Sequence, residues 1–205
     1  MLKLTNLKDA RFSAIDSDVE DALLSFDGLI LAGGAVRDSL FGNDISDYDM
    51  FLTHDGDLEA IKSYFEGQGF GMVFACPLGH LFTYMKGEDF KKPEECVKVQ
   101  IICKRRYSDV ADLINSFDFS ATYFAMRWND DETHFEVHTD HRAIKDVRKK
   151  QLSLVNLEYP SSTLNRIYKY RNKGYYTGHV IKEIVARIAQ MGGSYDPEND
   201  TLYVD

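Results

Sequence analysis

What this chain lacks removes several classes of protein at once. Cysteine occurs only at 76, 96 and 103, an odd number with no Cys-x-x-Cys pair, each in an apolar or strand-like setting. That pattern suits neither a disulfide framework nor a zinc site. No apolar run approaches the roughly 20 residues that span a bilayer, and the opening MLKLTNLKDARFS has no apolar core of a secretory signal. These absences predict a cytoplasmic protein with no membrane partner. The glycine pair at 33 and 34 has no third glycine at the dinucleotide-binding position and no Gly-Lys-Ser/Thr after it, which excludes the Rossmann and Walker phosphate loops. Internal repeats and low-complexity linkers are also missing, so the only place for a domain boundary is near Pro160. Nothing in the sequence sets the oligomeric state.

What is present is an ordinary globular composition: 205 residues, 44% hydrophobic, enough for one good core or one domain with a small appendage. The net charge of −9 looks wrong for a polyanion partner until it is divided along the chain. Arg142 to Arg187 holds 11 Lys and Arg against 3 acids, a local charge of +8, which leaves −17 for the rest. An acidic head that concentrates metal and a basic tail that holds phosphates fits an enzyme acting on phosphates. The alternative is that the tail's Lys and Arg are the solvated faces of amphipathic helices.

The most informative stretch is Leu29 to Thr53, LILAGGAVRDSLFGNDISDYDMFLT. Leu29 to Leu31 reads as a buried strand, and Gly33 and Gly34 let the backbone approach a ligand closely. Ala35 to Phe41 has helical composition with Gly42 in the stop position, so free N–H groups at the helix start would face an anion. Asp47 and Asp49 begin a second strand, where alternation points both carboxylates the same way and Tyr48 and Met50 the other. Two carboxylates on one face make half of a magnesium site. Arg37 is placed to pair with a phosphate, with Asp38 or with Asp47.

The order strand, Gly-Gly, x-Val-Arg-Asp, short helix, Gly, then Asp-x-Asp resembles the nucleotidyltransferase head of the polymerase-β-like superfamily, above all class II tRNA CCA-adding enzymes and bacterial poly(A) polymerases. The residues that carry the resemblance are Gly33, Gly34, Val36, Arg37, Asp38, Leu40, Gly42, Asp47 and Asp49. It implies an α+β fold: a small mixed β-sheet head over residues 1–159 with flanking helices, and a short helical, neck-like extension over 160–205. It also implies Mg²⁺ or Mn²⁺ held by Asp47 and Asp49 as the catalytic pair, an NTP bound over Gly33 and Gly34, and transfer of a nucleoside monophosphate to a hydroxyl with release of pyrophosphate.

Two later segments extend the resemblance. Asp118, Phe119 and Ser120 match the part of a class II motif that begins an apolar helix and contacts the nucleotide ribose, with Ser116 and Phe117 where two arginines usually stand. By itself, Asp118 reads as the cap of a helix starting at Phe119. Ser161 to Tyr170 resembles the base-reading neck helix and offers Arg166 and Arg171 to the nucleotide, with Ser161 and Ser162 as caps. The strand expected over Cys96 to Cys103 holds Gln100 where related enzymes often carry a third metal carboxylate.

Elsewhere the periodicity predicts helices over Ser17–Phe26, Asp57–Phe65, Asp109–Phe117, Arg142–Lys150 and Val180–Met191. Strands are expected over Gly71–Ala75, Leu81–Met85 and Thr133–Thr139, and a last one over Thr201–Val204. His134, Glu136 and His138 share one face of their strand, as a transition-metal row or as the polar side of an exposed edge. Three functions follow from these readings. The first is nucleotidyl transfer to an RNA 3′ end held by the Arg142 to Lys173 region. The second is transfer to a protein or small molecule. The third is a weakened nucleotide- or partner-binding derivative, suggested by Gln100 and the lost arginines.

Overall fold

A computed structural model describes residues 2–4, 14–129 and 134–191. It divides into two compact units, one of residues 1–114 with 124–139 and one of residues 115–123 with 140–205. The boundary expected near Pro160 falls inside the second unit, and the strand expected over Thr201–Val204 lies outside the described residues.

The first unit is built on a mixed sheet of eight strands: β1 (Leu2–Leu4), β2 (Leu29–Ala32), β3 (Tyr48–Thr53), β4 (Gly71–Ala75), β5 (Leu81–Lys86), β6 (Val97–Tyr107), β7 (Phe124–Asn129) and β8 (His134–Thr139). Their spatial order is β1-β8-β7-β2-β3-β6-β5-β4. Only β3 and β6 run parallel; every other neighbouring pair is antiparallel. The mixed α+β class is the one expected.

Helices α1 (Ser17–Ser25), α2 (Gly34–Phe41) and α3 (Leu58–Gly67) lie on one face of this sheet. Asp16 and Asp57 cap α1 and α3 with their carboxylates, and Gly42 ends α2 in the left-handed conformation at φ 69°. The helix-covered face is the hydrophobic core, with Val19, Leu23, Leu31, Met50, Ile61, Phe65, Tyr84, Val99 and Ile101 buried. The Tyr84 hydroxyl donates to Glu66 on α3 at 3.2 Å, and burial with that carboxylate pushes its pKa up to about 12. Because side chains alternate, Asp49 and Gln100 belong to the opposite face.

The sheet overturns two local readings. No apolar helix begins at Phe119: residues Ser120–Thr122 make one 3₁₀ turn and the chain enters β7. Phe124 to Asn129 pairs with β2 on one side and β8 on the other, and that tertiary pairing outweighs the local cap signal at Asp118 from which a helix was expected. The His134, Glu136 and His138 strand is not an edge either. It lies between β7 and β1, and all three side chains are buried, with Glu136 held by Arg127 at 3.4 Å and His138 at 3.1 Å.

The second unit holds α5 (His141–Lys149), α6 (Pro160–Asn172) and α7 (Gly178–Met191), and the short α4 (Val110–Asn115) belongs to the first unit except for its last residue. Helix α6 starts with Pro160 at its first turn and Tyr159 as N-cap, with no side-chain cap bond, so Ser161 and Ser162 are not the caps the sequence suggested. No helix among the described residues is long and apolar enough to cross a membrane.

Candidate active site

The site is assembled where β2 ends and β3 begins. Ala32 stands opposite Asp49 in the β2–β3 ladder, and the chain turns at once through Gly33. That residue has φ 77° and ψ −128°, a region only glycine occupies without strain. A β-carbon there would lie 3.9 Å from Asp49 Oδ2, which puts the turn against the carboxylate. The Gly33 N–H is already used, donating to the Phe124 carbonyl at 2.7 Å. It is therefore Gly34, the first residue of α2, that begins the run of amides without helical acceptors.

Asp47 precedes β3 by one residue and Asp49 is its second, both partly exposed, and strand alternation points them to the same side. The parallel pairing with β6 sets Asp49 beside Gln100, and β5 sets Thr83 beside Gln100 in turn. Cross-strand partners share a face, so Ala32, Asp49, Gln100 and Thr83 form one row. The Gln100 amide nitrogen donates to the Thr83 hydroxyl at 3.5 Å, and both residues are buried. The sequence left the face of Gln100 open; the register assigns it to the carboxylate side.

Asp47 accepts from the Ser46 hydroxyl at 2.8 Å and has the Lys98 ammonium 3.7 Å from its other oxygen. The donors on this face are carboxylate, amide and hydroxyl oxygens, the hard set that Mg²⁺ or Mn²⁺ prefers. Among the described residues no cluster of three or more His, Cys, Asp or Glu could hold a metal, so Asp47 and Asp49 would need the neutral oxygens of Gln100, water or a substrate phosphate to complete a shell.

Arg37 chooses Asp38. Its Nε donates to Oδ1 at 2.8 Å and its Nη2 to Oδ2 at 2.6 Å, with both side chains buried, and Asn43 adds a longer bond to the same carboxylate. The pair lies under the glycine turn, where Nη2 is 3.6 Å from the place a Gly34 β-carbon would take.

Asp118, Arg166 and Arg171 belong to the second unit. Arg166 Nε donates to Asp118 Oδ2 at 2.7 Å, while the Asp118 carbonyl accepts from Val155 and Asn156. Asp118 thus anchors α6 instead of capping a helix. Tyr123, in the same segment, has its pKa pushed up to about 12 by burial and by the Asp140 and Asp118 carboxylates, so its hydroxyl stays neutral. Arg171 is exposed and, five residues on from Arg166, turned about 140° away from it around α6.

Sequence reasoning named the two carboxylates and the glycines but passed over Lys98 and Thr83. Alternation along β6 already put Lys98 on the Gln100 side; Thr83 becomes visible only through the β5–β6 register.

The glycines separate two effects. Gly33→Ala should cost about 1–3 kcal/mol, read as a lower unfolding midpoint, because the backbone angle is strained although the space is open. Gly34→Val should unfold close to wild type and bind NTP more weakly, since Gly34 has an ordinary helical start and the added β-carbon meets nothing nearer than Arg37 Nη2 at 3.6 Å and Asp38 Oδ2 at 4.0 Å, ordinary contact distances. Equal NTP affinity in a folded Gly34→Val protein would move the phosphate site elsewhere.

A family model described as "Gad2: Gabija anti-defense 2 family protein" matches residues 4–150. No curated protein matches the chain. Among solved structures, a CCA-adding enzyme in complex with ATP is similar at a TM-score of 0.59 and 13% identity, over 88% of this chain and 45% of that one. A Thermotoga maritima CCA-adding enzyme complexed with tRNA is similar at a TM-score of 0.57 and 15% identity, over 86% and 44%. At such identities the likeness shows a shared fold, and the chain spans less than half the length of either structure. The resemblance read from the sequence was therefore right about the superfamily's architecture, while the family that matches is a distinct one.

Proposed function

From the premise that this chain belongs to the Gabija anti-defense 2 family, and from the site just described, we propose that it is a nucleotidyltransferase, moving a nucleoside monophosphate from an NTP to a hydroxyl with release of pyrophosphate. The observation that carries this reading is the row Ala32, Asp49, Gln100, Thr83 with Gly33 turned against Asp49. In this proposal Asp47 and Asp49 hold Mg²⁺ or Mn²⁺, and the amides from Gly34 onward receive the phosphates. When bound, such an ion lowers the pKa of the attacking hydroxyl and neutralises the phosphates. The Arg37–Asp38 pair stiffens the turn, and the protein's work is otherwise positioning. Within the second unit Arg166 is oriented by Asp118, while Arg171, exposed and on another side of α6, is assigned to the acceptor.

For the acceptor we propose an RNA 3′ end. Support comes from the exposed Lys145, Arg148, Lys149, Lys150, Lys169 and Arg171, together with Tyr168 and Tyr176, whose rings are largely exposed and could stack on bases. A protein or small-molecule acceptor is the second reading, favoured by the family's anti-defense description. Incubation with labelled NTPs, Mg²⁺, total RNA and cell extract separates them, because the label moves to RNA, to another acceptor or nowhere. If RNA is the acceptor, replacing Lys149, Lys150, Lys169 and Arg171 should weaken binding and flatten its salt dependence by about 0.7 log per lost phosphate contact; binding insensitive to salt would favour the second reading.

Gln100 gives a further expectation. An amide brings no charge to the ion, so Gln100→Asp should lower the Mg²⁺ concentration for half-maximal turnover by about tenfold. An unchanged metal requirement would remove residue 100 from the site.

A further inference from the structure

Lys98 stands two residues before Gln100 on β6, and the register that pairs Tyr48 with Val99 and Asp49 with Gln100 brings it beside Asp47. Its ammonium is 3.7 Å from Asp47 Oδ2, the lysine side chain 31% and the aspartate side chain 18% exposed. With Asp47, Asp49, Gln100 and Lys98 on one face, the cluster carries a formal charge of −1, where three carboxylates alone would give −3. A divalent ion arriving at Asp47 meets a carboxylate already matched to a cation. A polyphosphate arriving over Gly34 meets two carboxylates that repel it and one ammonium that attracts it.

We propose that Lys98 is a resident cation which the site exchanges: it pairs with Asp47 before substrate arrives and with the polyphosphate afterwards. The inference rests on the reading of Asp47 and Asp49 as metal ligands and goes beyond it by giving Lys98 a positioning and phosphate-binding role. A lysine suits the task because its ammonium is a compact charge on a flexible four-carbon stem with three rotatable donors. Asp47 keeps the Ser46 hydroxyl throughout, so the carboxylate stays oriented while its cation changes. The exchange makes two demands of opposite sign. Lys98 must weaken the binding of a free divalent ion, by competing for Asp47, and must strengthen the binding of a phosphate chain. A lysine elsewhere on the surface, more than about a Debye length of 10 Å from Asp47, would do neither.

Two titrations read these signs without turnover. In the first, Mn²⁺ alone is titrated into the protein and followed by electron paramagnetic resonance; Lys98→Gln should bind it about fivefold more tightly than wild type. In the second, tripolyphosphate is titrated calorimetrically at saturating Mn²⁺; Lys98→Gln should bind it about tenfold more weakly. Lys98→Arg, which keeps the charge, should stay near wild type in both. Should Lys98→Gln fail to fold, Lys98→Met preserves the stem and makes the same comparison. Constants that stay put, or that move in the same direction, overturn the exchange. An Asp47→Asn control tells that failure from a deeper one: if Asp47→Asn leaves Mn²⁺ binding intact, the ion sits elsewhere and the reading of the carboxylate pair fails with this inference.

Discussion

Replacing Asp49 with alanine is expected to lower divalent-dependent NTP turnover by about a thousandfold, several kcal/mol of lost charge stabilisation at 1.4 kcal/mol per decade. The fold should survive, with an unfolding midpoint within about 3 °C of wild type. The asymmetry follows from where the residue sits. Asp49 is partly exposed on the open side of β3, and the backbone ladder to Ala32 and Gln100 needs no side chain to hold it. Removing one of two like charges at i and i+2 also relieves repulsion. Asp47→Ala should behave alike in turnover, with the added loss of its Lys98 partner. Circular dichroism melts and labelled-NTP transfer on the same preparations make the comparison. If either variant transferred label at the wild-type rate, the assignment of the carboxylate pair would be wrong.

The parts of this molecule that could be read from its sequence are those whose chemistry is local. A glycine needing positive φ lies between an apolar strand and a helix, and both the strand and the helix ending at Gly42 were visible in order and spacing. Asp47 and Asp49 share a face because two is the period of a strand, whatever the strand pairs with. What could not be read depended on partners far away in the chain. Phe119 to Met126 looked helical because nothing local says that residues 124–129 will fill the gap between β2 and β8. His134, Glu136 and His138 looked like a solvated edge because the strand that covers it, residues 2–4, comes more than a hundred residues earlier. Gln100 and Lys98 had a defined parity but no defined neighbour until the parallel β3–β6 register supplied one. The family itself lay below the reach of the motif, because a Gly-Gly turn followed by Asp-x-Asp belongs to an architecture that many families share.

The largest change in stability should come from Asp38, although it does no chemistry in the proposed reaction. Arg37 is 3% exposed, and two of its hydrogen bonds, at 2.8 and 2.6 Å, end on this one carboxylate. Burial of a guanidinium is tolerable only while its charge is matched, and removing the partner of a buried pair typically costs about 3–5 kcal/mol. For a chain of this size that corresponds to a fall of about 10 °C in the unfolding midpoint of Asp38→Ala. The double variant Arg37→Met, Asp38→Leu should recover much of the loss, since apolar groups of similar volume leave no buried charge unpaired. Arg37→Lys should not substitute for the wild type, because a point charge cannot make the two parallel bonds that the planar guanidinium makes. The same measurements settle which of the three partners open to Arg37 in the sequence it uses. A melt of Asp38→Ala within about 3 °C of wild type would mean that the guanidinium does not depend on Asp38; a collapse that the double variant repairs would mean that its work is to hold the turn on which Gly33 and Gly34 stand.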